Sequence, residues 1–359
     1  MVKEGKVDWA TAEAMAVGTL LKEGYNVRMS GQDVQRGTFS HRHLVFHDQQ
    51  TGKMESPLAT WSSAKGQLDI HNSHLSEFAI LGFEYGVSIA DAESTLPIWE
   101  AQFGDFFNGG QIIFDAFISS GETKWGLQSG LVVLMPHGYD GTGPEHSSCR
   151  LERFLQMSNA PFDPHQHDAP INWHVVHPTT PANYFHLLRR QMLREIRRPL
   201  VVASPKTLLR LPAAQSPLED FSESTAFRAV MDDPRQPTPS SIRRLVFCSG
   251  KFYYELEKER ASRGDEKMAI VRIEELCPLP TAQIEAVLGR YRKAGEVVWC
   301  QEEHRNMGAY SYVAPRLQAL MPRNLKLAYV GRGEAAAPAA GYSKLHRQEL
   351  VTIMSKLFN

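Results

Sequence analysis

Apolar positions along the chain fall into two alternating rhythms. Short β-branched runs, VRMS (27–30), LPIWEAQF (96–103), GLVVLMP (130–136), WHVVHP (173–178) and PLVVAS (199–204), read as strands. Between them lie stretches at helical spacing, 9–23, 76–90, 108–119 and 181–196. The last, PANYFHLLRRQMLREI, has Pro181 in its first turn, where a missing N–H breaks no helical bond. Alternation of this kind predicts a mostly parallel sheet covered by helices. A Pro-, Ser- and acid-rich segment, 211–241, reads as a linker. The rhythm then resumes with RLVFCS (244–249), AIVRIEEL (269–276), EVVWCQEE (296–303) and LKLAYVG (325–331). The expectation is therefore α/β, with domains at 1–210 and 242–359 joined by 211–241, and with SNAPFDPHQHDAPIN (158–172) as a polar insertion on the first.

Composition narrows the function classes. A length of 359 residues suits two domains, and 42% apolar against 22% charged residues is the balance of a globular chain. A net charge of −1 gives no electrostatic reason to propose nucleic acid or an acidic membrane surface as partner. The longest apolar runs, such as LVVLMP (131–136), are too short to span a bilayer. Four cysteines stand far apart without a CxxC pair, so neither metal-binding spacing nor a disulfide framework is expected. The start, MVKEGKVDWATAEAM, carries early acids and has the character of neither a transit peptide nor a secretory segment.

Candidate chemistry gathers at the predicted carboxyl ends of strands, where open parallel sheets receive ligands. HLSEFAILGFEYG (74–86) reads as a helix heading into a core, with Ser76 in the capping place and Glu77 in the first turn. Taken alone, Glu77 is a helix-terminus acid favoured by the dipole; the alternative is a carboxylate held there for chemistry. WEAQFGDFFNGGQ (99–111) sets Gln102 beside Phe106, an amide and an aromatic able to hold a flat heterocycle, although aromatics at a strand end are commonly core. MPHGYDGTGPEHSS carries His137, Glu145 and His146 in a glycine-rich loop after a strand; a tight turn with a structural His weighs about evenly. SGK (249–251) lacks the first Gly of a phosphate loop and has Phe252 where a hydroxyl is needed, so it reads as a structural turn. The HxH pairs His41/His43 and His165/His167 have no nearby Cys or HExxH partner, and no GxGxxG occurs.

Together the motifs resemble one family. VDWATAEAMAVGTLLKEGYNVRMSGQDVQRGTFSHRH, HLSEFAILGFEYG, WEAQFGDFFNGGQIIFDAFISSGETKW, LMPHGYDGTGPEHSSCRLERFLQM, RRPLVVASPKTLLR and VVWCQEEHRNMG are similar to the carboxy-terminal half of the thiamine diphosphate-dependent decarboxylating component of 2-oxoglutarate dehydrogenase. FDAFISSGETKW and EELCPLP stand nearer its 2-oxoadipate-type branch, whereas GPEHSS carries the Glu typical of the 2-oxoglutarate enzymes. The resemblance implies two three-layer parallel-sheet domains, a pyrimidine-binding domain and a transketolase-like C-terminal domain. It places Glu77 where the family's glutamate bonds N1′ of the cofactor's aminopyrimidine. Phe106 falls where an aromatic packs on that ring, with Gln102 a polar neighbour and Leu75 an apolar contact. His146 matches a proton-handling histidine with Glu145 beside it, and His137 is a second substrate candidate.

One part of the family pattern is missing. The cofactor's diphosphate is held through Mg²⁺ by a GDG motif on a separate domain, and this sequence has no GDG. The chain is thus expected to bind the aminopyrimidine end only and to ligate no metal itself. It is expected to be a fragment, or a β-type subunit that needs an α-type chain. Implied partners are a second copy, the diphosphate-binding half and a lipoyl-bearing acyltransferase; the implied compartment is the mitochondrial matrix. The alternative is an assembly or regulatory module that dimerises without chemistry.

Overall fold

The computed structural model describes residues 5–61, 63–166 and 169–359. In chain order its principal strands are β1 (Asn26–Gly31), β2 (Leu68–Asn72), β3 (Thr95–Glu100), β4 (Val132–Pro136), β5 (His174–Val176), β6 (Leu200–Ser204), β7 (Val230–Met231), β8 (Arg244–Cys248), β9 (Met268–Ile273), β10 (Glu275–Cys277), β11 (Glu296–His304) and β12 (Leu327–Arg332). The main helices are α1 (Trp9–Glu23), α2 (Glu77–Ala90), α3 (Leu151–Gln156), α4 (Pro181–Leu193), α5 (Phe252–Arg263), α6 (Thr281–Arg290), α7 (Tyr310–Leu320) and α8 (Ser343–Phe358). They form two compact units, one of residues 1–136 with 180–227, the other of 137–179 with 228–359.

The first unit is built on parallel strands in the order β6-β4-β3-β1-β2. β3 and β4 are buried along their whole length, which is why they read as unbroken apolar runs. The edge strand β2, LDIHN, escapes pattern reading because only Ile70 in it is buried. α1 falls on the predicted 9–23 because both ends are signalled. Asp8 accepts from the Thr11 amide at 2.9 Å, and Gly24 closes the helix at φ 104°. α2 starts after Ser76, whose backbone is extended but whose hydroxyl caps nothing. Ile80, Leu81 and Tyr85 enter the core, whereas Leu75, Phe78 and Phe83 stand exposed at 54%, 47% and 58%.

The helix expected over 108–119 is broken into a 3₁₀ turn, Gly104–Gly110, one α turn, Gln111–Ile113, and a π turn, Phe114–Ile118. The Gly109–Gly110 pair explains the break, since it lies flat against the start of α2: a Cβ on Gly110 would stand 3.1 Å from Leu81 Cδ2.

The second unit has the sheet order β7-β9-β8-β11-β12, parallel but for β7. The 173–178 run appears as the strand β5 (His174–Val176), as expected, and pairs antiparallel with β10. Val246, Ile270 and Val298 of this sheet pack with Phe252 and Leu256 of α5 and Ile353 and Leu357 of α8. The expected linker contributes to this core: β7 pairs with β9, and Asp233, fully buried, holds Arg260. All four cysteines are free and buried.

Candidate functional site

Glu77 opens α2 and lines a small cleft at the carboxyl ends of β1 and β3. The cleft is narrow, about 10 Å³, and lies between Gly31, Ser73, Leu75, Glu77, Trp99, Glu100 and Gln102. Register puts Gly31 opposite Glu100 across β1 and β3, so the cleft floor is sheet backbone. The Glu77 carboxylate makes no hydrogen bond among the described residues and is only half-buried. Its flank is kept clear by Gly109, where an added Cβ would stand 3.1 Å from Oε2. Gln102 and Leu75 share the cleft as expected. Phe106 lies outside its lining, half-buried in a chain of rings: edge-on to Phe103 at 5.9 Å, which is edge-on to Phe39 at 5.4 Å.

Beneath the cleft lies a network that pattern reading missed. Arg42, the middle residue of SHRH, is buried with its guanidinium between Glu13 of α1 and Glu100 of β3. Nη1 donates to Glu100 Oε1 at 2.9 Å and to the Val34 carbonyl at 3.1 Å; Tyr184 Oη donates to Glu13 Oε2 at 2.7 Å. Burial pushes the Glu13 carboxyl up, but the Arg42 charge and hydrogen bonds outweigh it and hold the group below the usual carboxylate range. Attention to the flanking histidines hid this arginine. His43 only contacts the Ser40 carbonyl, at 3.2 Å in an exposed loop.

His137, Glu145 and His146 belong to the second unit, not to the cleft of the first. His137 is fully buried. Its Nδ1 accepts from the Cys149 amide at 3.1 Å, so the ring proton sits on Nε2, 2.9 Å from Glu303 Oε1. Both nitrogens are committed, which makes His137 a tie across the base of the loop. His146 ends a 3₁₀ turn, Pro144–His146, and is half-buried, with Glu145 exposed beside it. Of the other histidine pair, His165 is exposed, 3.8 Å from Glu285, and His167 lies outside the described residues.

SGK is a structural turn with a specific cause. Gly250 has φ +67°, and a Cβ there would stand 2.0 Å from the His177 ring. Burial holds His177 neutral, with its pKa pushed down to about 3, and Nδ1 has no hydrogen-bond partner. A histidine whose folded pKa lies below its unfolded value of about 6.5 contributes stability above that pH and loses it as pH falls. The loss is about 1.4 kcal/mol per pH unit, hence about 2 kcal/mol by pH 5. Urea midpoints measured from pH 7 to pH 5 should therefore fall, and fall less steeply in His177→Gln; equal slopes would refute the assignment.

An open parallel sheet with an acidic side chain at a strand-end cleft defines a class, and the comparisons agree with it. Residues 5–212 match the transketolase pyrimidine-binding domain family, and residues 215–358 match the 2-oxoglutarate dehydrogenase C-terminal family. The chain belongs to the transketolase pyrimidine-binding domain family. It is 54% identical over 361 residues to the 2-oxoadipate dehydrogenase complex component E1 of Mus musculus, covering 99% of this chain and 39% of that protein. The Homo sapiens counterpart is 53% identical over 98% of this chain and 38% of its own length. The mitochondrial 2-oxoglutarate dehydrogenase of Caenorhabditis elegans is 49% identical over 100% of this chain and 36% of its own. The chain thus spans well under half the length of these relatives.

Proposed function

We propose that the chain forms the aminopyrimidine-binding and carboxy-terminal part of the decarboxylating component of a 2-oxo acid dehydrogenase complex. It would use thiamine diphosphate to decarboxylate 2-oxoadipate or 2-oxoglutarate and pass the acyl group to a lipoyl carrier. The observation that carries this reading is Glu77, a carboxylate with no hydrogen bond among the described residues at a strand-end cleft, its flank cleared by Gly109. The names of the relatives support the substrate class, 2-oxoadipate or 2-oxoglutarate.

The residues fit the aminopyrimidine end of the cofactor. Glu77 would meet the ring nitrogen N1′, Gln102 would add a polar contact and Leu75 would cover apolar surface; Phe106, which stands outside the cleft lining, would pack on the ring from its rim. When bound, the cofactor supplies an acidic thiazolium C–H and the electron sink for release of CO₂. Glu77 would hold a proton against N1′, and its half-open position would leave the carboxylate able to take that proton and return it. His146, with Glu145 beside it, handles protons at the substrate, while His137 holds the loop that carries them. The diphosphate and Mg²⁺ fall to a GDG-bearing domain or chain. Domains at 1–210 and 242–359 joined by 211–241 remain our division; the family matches meet between 212 and 215, and the compact units divide the chain differently.

The exposed Phe78 and Phe83 on α2, with Leu75 before it, Ile112 and Trp125, support a second copy as partner and burial of these side chains in a dimer. No helix among the described residues is long and apolar enough to cross a membrane. The name of the Caenorhabditis elegans relative supports a mitochondrial location, within which we propose the matrix.

The direct test is CO₂ release from 2-oxoadipate and 2-oxoglutarate by the assembled enzyme with thiamine diphosphate, Mg²⁺ and a lipoyl acceptor; turnover of neither acid would overturn the proposal. Calorimetric titration of this chain alone with thiamine diphosphate and Mg²⁺ should give no tight binding, since only one end of the cofactor is held. Saturation at the concentrations that saturate the assembled enzyme would show that the site is complete.

A further inference from the structure

In the second unit the chain runs from β8 through α5 to β9 on one side, then through α6 to β11 on the other side of β8. The carboxyl ends of β8 and β11 therefore flank a topological switch point, where open α/β sheets usually take a ligand. Here the side chains at that point take hold of the unit's own chain, the loop HGYDGTGPEHSSC of residues 137–149.

Its base is tied by His137 to Glu303 of β11 at 2.9 Å, by the Cys149 amide to His137 at 3.1 Å, and by the Gly138 amide to the Ser147 carbonyl at 2.9 Å. Further out, Asp140 reaches Lys251 of the SGK turn, Oδ1 to Nζ 3.4 Å. Lys251 is buried, and its ammonium is held by Glu302 of β11 at 2.8 Å and Glu255 of α5 at 2.6 Å. The outer arm is braced internally: Thr142 Oγ1 donates to the His146 carbonyl at 2.8 Å, and Ser147 Oγ to the Gly143 carbonyl at 2.6 Å. A displacement at Asp140 is therefore passed through Thr142 to His146.

We propose that Lys251 and Asp140 are positioning residues whose ion pair sets the 137–149 loop and thereby the place of His146. The catalytic part of this inference rests on the role proposed above for His146; the anchoring part does not. A lysine buried among acids from the strand and the helix is a fixed post, and Asp140 is the one acid of the three contributed by the loop. Small misplacements of reacting groups reduce turnover by up to about 10²-fold.

The test begins with Asp140→Asn, which leaves Lys251 with Glu255 and Glu302 and so spares the buried cation. Hydrogen exchange on the protein should show peptides across 137–149 exchanging about tenfold faster, with β8, β9 and β11 unchanged. Unchanged loop exchange, or faster exchange throughout the unit, would overturn the anchor. In the assembled enzyme, Asp140→Asn should lower kcat tenfold or more with little change in cofactor affinity, and Lys251→Arg should retain activity that Lys251→Met loses. Equal activity in Lys251→Arg and Lys251→Met, both folded by circular dichroism, would overturn the positioning role. A Glu77→Ala arm separates the two readings. If Glu77→Ala is inactive while Asp140→Asn matches wild type in both assays, the anchor fails and the proposed function stands. If Glu77→Ala is fully active while Asp140→Asn loosens the loop, the role proposed for Glu77 fails and the anchor stands.

Discussion

Replacing Glu77 by Ala should lower decarboxylation by the assembled enzyme by about 10²- to 10⁴-fold, the usual contribution of a single proton-transfer group. The fold should hardly notice. The carboxylate bonds nothing among the described residues, the helix already begins without a side-chain cap, and the site is half-open to solvent. What the helix loses is an acid at its positive end, on the order of 0.3 to 1 kcal/mol. A large effect on turnover beside a small one on stability is the signature of a side chain kept for chemistry. Glu77→Gln sharpens the test, because the amide keeps the shape and a hydrogen bond but cannot take a proton, so it should be nearly as slow as Ala. Activity within a few-fold of wild type in both variants, with thermal midpoints unchanged, would falsify the assignment of Glu77.

The acid at position 77 was legible in the sequence because a helix-start pattern has few places for it. Its surroundings were less so. Periodicity cannot tell an apolar residue that enters a core from one that faces outward, so Phe78 and Phe83 read like Ile80 and Leu81 although only the latter pair is buried. The broken helix over 108–119 was hidden for a related reason: its Phe and Ile residues keep helical spacing while a glycine pair fits it to α2. Helix α1 came out whole because its signals, an Asp cap and a Gly stop, are local. Arg42, His137 and Lys251 act through partners distant in sequence: Glu13 and Glu100, Glu303, and Glu302. No local rule pairs such residues, so SHRH and SGK drew attention to the wrong features. In SGK the glycine answers to a buried ring and the lysine to carboxylates, and neither to a phosphate.

The Arg42 network carries the largest stability effect expected in the chain. Arg42→Met fills similar space but leaves Glu13 and Glu100 facing each other without a cation, their side chains 3% and 7% exposed. Removing one partner of a buried ion pair typically costs about 3 to 5 kcal/mol, a large part of the roughly 5 to 15 kcal/mol that holds a domain together. The pH dependence should change sign. In the wild type Glu13 has a depressed folded pKa, so its contribution is present above the unfolded value near 4.5 and is lost as pH falls through the folded value. In Arg42→Met Glu13 is buried without a counter-charge, burial then pushes its pKa above the unfolded value, and the penalty grows as pH rises above about 4.5. Acidification from pH 7 towards pH 5 should therefore narrow the stability gap between variant and wild type. Glu13→Gln added to Arg42→Met should recover part of the loss at neutral pH, because one of the stranded charges is gone. Urea denaturation of the three proteins at pH 7 and pH 5 decides the matter. A gap of less than about 1 kcal/mol, or one that widens on acidification, would mean that Arg42 is not the charge on which this corner of the sheet depends. Glu100 ends β3 and lines the cleft that holds Glu77, so whatever frees it also loosens the cleft wall that faces the cofactor end assigned to this chain.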